Sequence, residues 1–114
     1  MEKIVERGLL FDIYGELLTD RQKDVYRELV EGDMSLTELS EEFGISRQGV
    51  HDMIKRCDAL LYGYEEKLSL MERFFKMRTY IGKARTMIAD EGFLGDLGKV
   101  NELDRILKEL EEQI

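Results

Sequence analysis

The stretch Ser35–Leu61, SLTELSEEFGISRQGVHDMIKRCDALL, leaves little freedom of fold. Ser35 and Glu38 stand three apart, the spacing at which a cap serine and a third-position glutamate satisfy each other's free amides. Leu36, Leu39 and Phe43 then share one helical face. Gly44 follows, where a left-handed C-terminal cap favours a residue without a Cβ. Ile45 can plug the corner, and Ser46 can cap a second helix. In that helix Val50, Ile54, Cys57 and Leu61 recur at four, three and four residues, one apolar stripe. The other face carries Arg47, Gln48, His51, Asp52, Lys55 and Arg56. Two capped helices about a glycine turn are the sequence form of a helix-turn-helix, whose second helix can lie in a DNA major groove with its N-terminal side chains on base edges.

The flanking sequence is also helical. Residues 2–18 read as a first helix, with Ile4, Leu10, Phe11, Tyr14, Leu17 and Leu18 supplying apolar area. Gly8 and Gly15 either weaken it or allow close packing against a neighbour. Thr19 and Gln22 form a second capping box, and Val25, Tyr26, Leu29 and Val30 give the buried face of a helix ending at Gly32–Asp33. Three helices, 19–31, 35–43 and 46–61, joined by short links, make a minimal helix-turn-helix unit.

From about Tyr62 the pattern changes. Residues 63–90 read as one long helix, with a stripe at Tyr64, Leu68, Met71 and Phe75 that shifts to Phe74, Met77, Ile81, Ala84 and Ile88. Glycines 92, 95 and 98 punctuate a loop that lacks the strand and the lysine of a phosphate loop. The last helix, 99–113, repeats Val100, Leu103, Leu107, Leu110 and Ile114 at three and four, with Ile106 widening the stripe. Such a helix either closes the core of its own chain or pairs with a second copy. The expected architecture is all-α: a helix-turn-helix domain with its N-terminal helix over 1–62, and a helical extension over 63–114 that packs on it or mediates dimerisation.

Composition supports long uninterrupted helices: the 114 residues contain no proline, where average usage gives roughly five per hundred. No stretch approaches the roughly 20 apolar residues of a membrane span. The N-terminus has no signal-peptide layout, so a cytoplasmic location is expected. One cysteine excludes an internal disulfide, and one histidine beside it cannot build a zinc site. No nucleophile–base spacing, metal cluster or nucleotide fingerprint points to an enzyme, and no cofactor is implied.

The net charge of −8 argues against a protein that coats nucleic acid non-specifically. The charge is uneven. Residues 1–62 carry eight Lys and Arg against fourteen Asp and Glu. Over 67–85, Lys67, Arg73, Lys76, Arg78, Lys83 and Arg85 face Glu72 alone. That basic run is either a contact surface for RNA or an acidic protein, or a solvated face balancing acidic neighbours. On the second helix of the motif, Arg47 and Gln48 are best placed for base edges, since Arg can be bidentate to guanine and Gln to adenine. Lys55 and Arg56, two turns on, suit phosphates. His51 lies on the same face without a partner for metal or catalytic work. Asp52 can orient Arg56, four residues on.

Leu18-Thr19-x-x-Gln22, Leu36-Thr37-Glu38-Leu39-Ser40 and Gly44-Ile45-Ser46-Arg47-Gln48-x-Val50 together resemble the promoter-recognising fourth region of bacterial sigma factors. More narrowly, FDIYGELLTDRQ and ISRQGVHDMIKRCDALLYGYEEKL are similar to the YlxM family, small all-helical bacterial proteins associated with the signal recognition particle. The resemblance implies a sigma-like helix-turn-helix followed by further helices. It also implies a regulatory role in the signal recognition particle pathway, acting on nucleic acid (DNA or RNA) or on a component of the particle. It carries the contact positions onto Arg47, Gln48, His51, Lys55 and Arg56.

Overall fold

The computed structural model describes residues 1–113. Its regular elements are six α-helices: α1 Lys3–Tyr14, α2 Asp20–Val30, α3 Leu36–Phe43, α4 Arg47–Leu68, α5 Leu70–Ala89 and α6 Leu97–Glu112. Short 3₁₀ turns lie at Gly15–Leu17 and Phe93–Gly95. No strand occurs among the described residues, so the fold is all-α as the patterning predicts. No described helix is long and apolar enough to cross a membrane. The chain forms two compact units, one over Met1–Met71 and one beginning at Glu72.

In the first unit the capping chemistry matches the sequence reading. Thr19 Oγ1 accepts from Gln22 N at 3.2 Å, and Thr19 N donates to Gln22 Oε1 at 3.0 Å. Ser35 Oγ accepts from Glu38 N at 3.1 Å, and the reciprocal bond from Ser35 N spans 3.4 Å. Gly44 is left-handed at φ 64°, where a side chain would strain the backbone. Val50, Ile54, Cys57 and Leu61 are all buried, and they meet Leu10, Tyr14, Val25, Tyr26 and Leu39 in one core. Burial pushes the Cys57 thiol up to about 11.

α1 runs parallel to α4. Arg7 forks onto Asp58, with Nε to Oδ1 at 3.1 Å and Nη2 to Oδ2 at 2.6 Å. Two turns further along both helices, the Tyr14 hydroxyl donates to Glu65 Oε1 at 2.7 Å. From α2 the wholly buried Tyr26 donates to Asp58 Oδ1 at 2.6 Å. One carboxylate therefore fastens three helices.

Three boundaries differ from the sequence reading. α1 ends at Tyr14, and its continuation to Leu18 is a 3₁₀ turn that leaves Leu17 exposed. A Cβ on Gly15 would stand 2.9 Å from the Phe11 ring, so the glycine is where that ring packs. The second difference is larger. α4 does not end near residue 62 but continues to Leu68, and the break falls at Ser69, left-handed at φ 55°. There the Tyr14 hydroxyl oxygen accepts from Leu70 N at 3.1 Å, and Glu65 Oε1 accepts from Met71 N at 2.9 Å. Two side chains of the first unit thus satisfy the opening amides of α5. Gly63 needs no special backbone and sits inside the helix.

The third difference concerns α6, which starts at Leu97 with Asp96 as its cap, accepting from Lys99 N at 3.2 Å. Ile106 is its buried centre, Leu103 and Leu110 are half-buried, and Val100 and Leu107 are exposed. Ile114, the last position of the expected stripe, lies outside the described residues. On α5, Ala84 is buried and Met77 half-buried, but Phe74, Ile81 and Ile88 of the same pattern are exposed.

Replacing Asp58 by Ala strands the Tyr26 hydroxyl and the Arg7 guanidinium together. It should cost about 2 kcal/mol in urea unfolding, whereas Tyr26→Phe should cost about 1 kcal/mol. Cys57 supplies a second expectation, on pH. Its thiol titrates near 9.0 when free and near 11 in the fold, so between those values the unfolded chain holds fewer protons and stability falls as pH rises. At pH 8 the folded protein should resist thiol reagents that label the urea-unfolded chain within minutes; equal labelling of both would show the site to be open.

Candidate nucleic-acid interface

α4 begins on Ser46, whose Oγ accepts from Gly49 N at 3.0 Å. Ahead of it, Ile45 packs against the core, and its carbonyl accepts from the Ser40 hydroxyl, which locks the two helices of the motif across the turn. Arg21 adds a strut from α2, its Nη2 donating to the Phe43 carbonyl at 3.2 Å. Twenty-two residues separate those partners, so local sequence patterns carry no signal of the contact.

Gly49 has a steric role. A Cβ there would lie 2.7 Å from Ile45 Cγ2 and 3.1 Å from Ser46 Oγ. The glycine near the start of α4 is therefore the space into which the turn residue tucks.

Arg47, Gln48, His51, Lys55 and Arg56 are all exposed, on the first three turns of α4. Helical phase sets Gln48, Asp52 and Lys55 near the middle of the outward face, with Arg47 and His51 toward one edge and Arg56 toward the other. Asp52, Lys55, Arg56 and Ala59 line a shallow open groove. Among the described residues Arg47, Lys55 and Arg56 form no ion pair, which leaves three cations available. The first turns of α2 and α3 hold Asp20 and Glu38, but that of α4 holds no acid. Its positive dipole end is thus not neutralised locally.

Asp52 does not orient Arg56. Its Oδ1 accepts instead from Gln48 Nε2 at 2.9 Å, one turn earlier, and lies 3.7 Å from His51 Nδ1. A turn-by-turn bond toward the helix start is within easy reach of the glutamine, and it occupies part of the amide that would read adenine. No three His, Cys, Asp or Glu side chains among the described residues gather as a metal site requires.

The second basic set is not one surface. Lys67 closes the last turn of α4. On α5, Lys76 and Lys83 share one line of the helix and Arg78 and Arg85 another, about 160° away by helical phase. Lys76 Nζ pairs with Glu72 at 3.3 Å, and Lys83 Nζ stands 5.8 Å from the centre of the Tyr80 ring. Arg73, Arg78 and Arg85 are exposed, without a carboxylate partner among the described residues.

The Gly49 packing is testable by a double-mutant cycle. Gly49→Ala should lower stability by about 1 kcal/mol, because overpacking outweighs the gain in helix propensity. In an Ile45→Ala background the same change should cost nothing or stabilise; an unchanged penalty would mean the methyl contact is not its cause.

Residues 1–92 match the family model described as "UPF0122: Putative helix-turn-helix protein, YlxM / p13 like". UPF0122 proteins of Bacillus cereus (strain AH187) and Bacillus anthracis (strain A0248) are each 41% identical to it over 91 residues, 80% of this chain and 83% of theirs. A UPF0122 protein of Bacillus thuringiensis subsp. konkukian (strain 97-27) matches to the same extent. The capped turn, the buried stripe of α4 and these similarities agree, and the chain belongs to the UPF0122 family of YlxM-like helix-turn-helix proteins.

Proposed function

We propose that this chain is a cytoplasmic nucleic-acid-binding regulator, not an enzyme, that presents the start of α4 to a groove and works as a pair of copies joined through its C-terminal helices. The observation that carries the binding role is the exposed Arg47 at the acid-free first turn of α4, with Lys55 and Arg56 following and no carboxylate among the described residues engaging any of the three. A phosphate can sit at that helix start on free amides and the dipole, while Arg47 reaches a base edge. Gln48, held by Asp52, offers its carbonyl, and exchanging that bond for a base contact is the step at which sequence is sensed. Lys55 and Arg56 meet phosphates and set the register.

The setting suggested by the family resemblance is the signal recognition particle pathway. A second reading keeps the motif as a scaffold and gives contact with a particle component to the cations of α5. The bond from Gln48 to Asp52 favours it, because a pre-engaged amide is a weaker reader.

The two readings part on mutation. Arg47→Ala with Lys55→Ala should reduce binding of duplex DNA or structured RNA at low salt by more than tenfold and lower the slope of log affinity against log salt by about 2. Binding that is unchanged in that double variant would remove α4 as the contact. Reversing Lys76 and Lys83 to Glu should leave the same titration intact under the first reading, and should abolish capture of a particle component under the second.

A further inference from the structure

The hairpin of α5 and α6 carries an apolar face that its own chain leaves uncovered. On α5, Phe74, Ile81 and Ile88 are spaced by seven and exposed at 46%, 46% and 59%. On α6, Val100 and Leu107 are likewise seven apart, at 37% and 46%. Measured from the buried Ala84, the α5 line is turned by about 40–80° around its helix; from the buried Ile106, the α6 line is turned by about 100–120° in the same sense. In antiparallel neighbours a turn in the same sense brings both lines to the same side. The five side chains therefore form one face, larger than the scattered apolar exposure of an ordinary surface.

Its margins are charged, with opposite signs. Further around α5 stand Arg78 and Arg85, which have no carboxylate partner among the described residues. Further around α6 stand Asp104 and Glu111; among the described residues Asp104 pairs only with Lys108, at a well-exposed 3.2 Å, and Glu111 forms no ion pair. The hairpin register sets their heights. Asp90 pairs with Lys99 near the turn, and lower down a groove is lined by Lys83 and Met87 of α5 with Glu102 and Ile106 of α6. In that register Arg85 is level with Asp104, and Arg78 with Glu111. Within one chain these partners lie at opposite margins of the face and do not meet.

We propose that the occupant of this face is a second copy of the same hairpin, related by a two-fold axis parallel to the helices. That operation sets α5 of one protomer over α6 of its partner at unchanged heights, so Arg85 faces Asp104 and Arg78 faces Glu111 twice over, around a four-helix apolar centre. A two-fold axis across the helices would instead set arginine against arginine. The interface deepens the pairing reading above by assigning α5 an equal share with α6.

The test is sedimentation of the full chain without nucleic acid, so that its outcome is independent of the α4 contact. A dimer is expected at tens of micromolar, and a monomer at that concentration overturns the proposal. Ile81→Glu, exposed and so tolerable to the fold, should yield a monomer of unchanged helicity; a dimer that persists places the interface elsewhere. Reversing Arg78 and Arg85 to Glu should weaken association at least tenfold, and adding Asp104→Arg and Glu111→Arg to the same chain should restore it. Because the two margins do not meet within one chain, restoration reports contact between copies, and its failure overturns the two-fold arrangement. Binding titrations of the Ile81→Glu monomer keep the two proposals separate, since the α4 contact can fail or hold whichever way association goes.

Discussion

Everything in the first unit depends on how Asp58 is satisfied. A carboxylate at the flank of a helical core costs free energy unless its oxygens are engaged, and here they take three bonds from two other helices. Tyr26 brings α2 and Arg7 brings α1, so the angle between those helices and α4 is set by directional bonds as well as by packing. The same residue stands one position past Cys57, on the shoulder of the buried stripe. A helix that must present its opposite face with a fixed azimuth needs such a constraint, because apolar packing alone tolerates rotation by a fraction of a turn. The polar node on the inner shoulder thus bears on where Arg47 and Lys55 point.

A second node explains why the long helices are two rather than one. Tyr14 and Glu65 bond to each other, and each takes one amide from the first turn of α5. Ser69 adopts a left-handed backbone that a serine reaches only at some cost, and these compensating bonds stand at that position. The strained residue and the cap act as one device, which stops α4 after 22 residues and starts α5 anew.

These two nodes mark the limit of what the amino-acid sequence discloses. The caps of α2, α3 and α4 involve partners three residues apart, and Gly44 occupies a backbone region that few other residues enter; both kinds of signal are local and legible. The stripe of Val50, Ile54, Cys57 and Leu61 has helical period, and all four are buried as that period requires. Arg7 and Asp58, by contrast, lie 51 residues apart, and so do Tyr14 and Glu65. No spacing rule reaches so far, and a reading by pattern alone divides the long helices at about Tyr62, where the apolar pattern changes but the helix continues to Leu68. The exposed face of α4 is legible in membership but not in pairing: the spacing suggests Arg56 as the partner of Asp52, whereas Gln48, four residues before it, takes that place. The packing of the Ile45 methyl against Gly49 is a contact across the turn that the helical period does not disclose.

The net charge of −8 fits a nucleic-acid contact once distance is considered. At physiological salt, exposed charges more than about 8 Å apart are largely screened from each other, so a phosphate at the start of α4 would sense Arg47, Ser46 and the helix dipole more than the net charge of the chain. The nearby acids still matter. Asp52 is within a few ångströms of Gln48 and His51 and disfavours a phosphate in the centre of the face, while permitting one at either end. An arrangement with cations at both ends and an anion between them is poor at holding an arbitrary backbone tightly. On the proposed reading it would favour a ligand whose phosphates are spaced to meet Arg47 and Lys55 with Arg56 while offering Asp52 a donor. Acidity around such a site would suppress non-specific binding more than binding of a matching ligand.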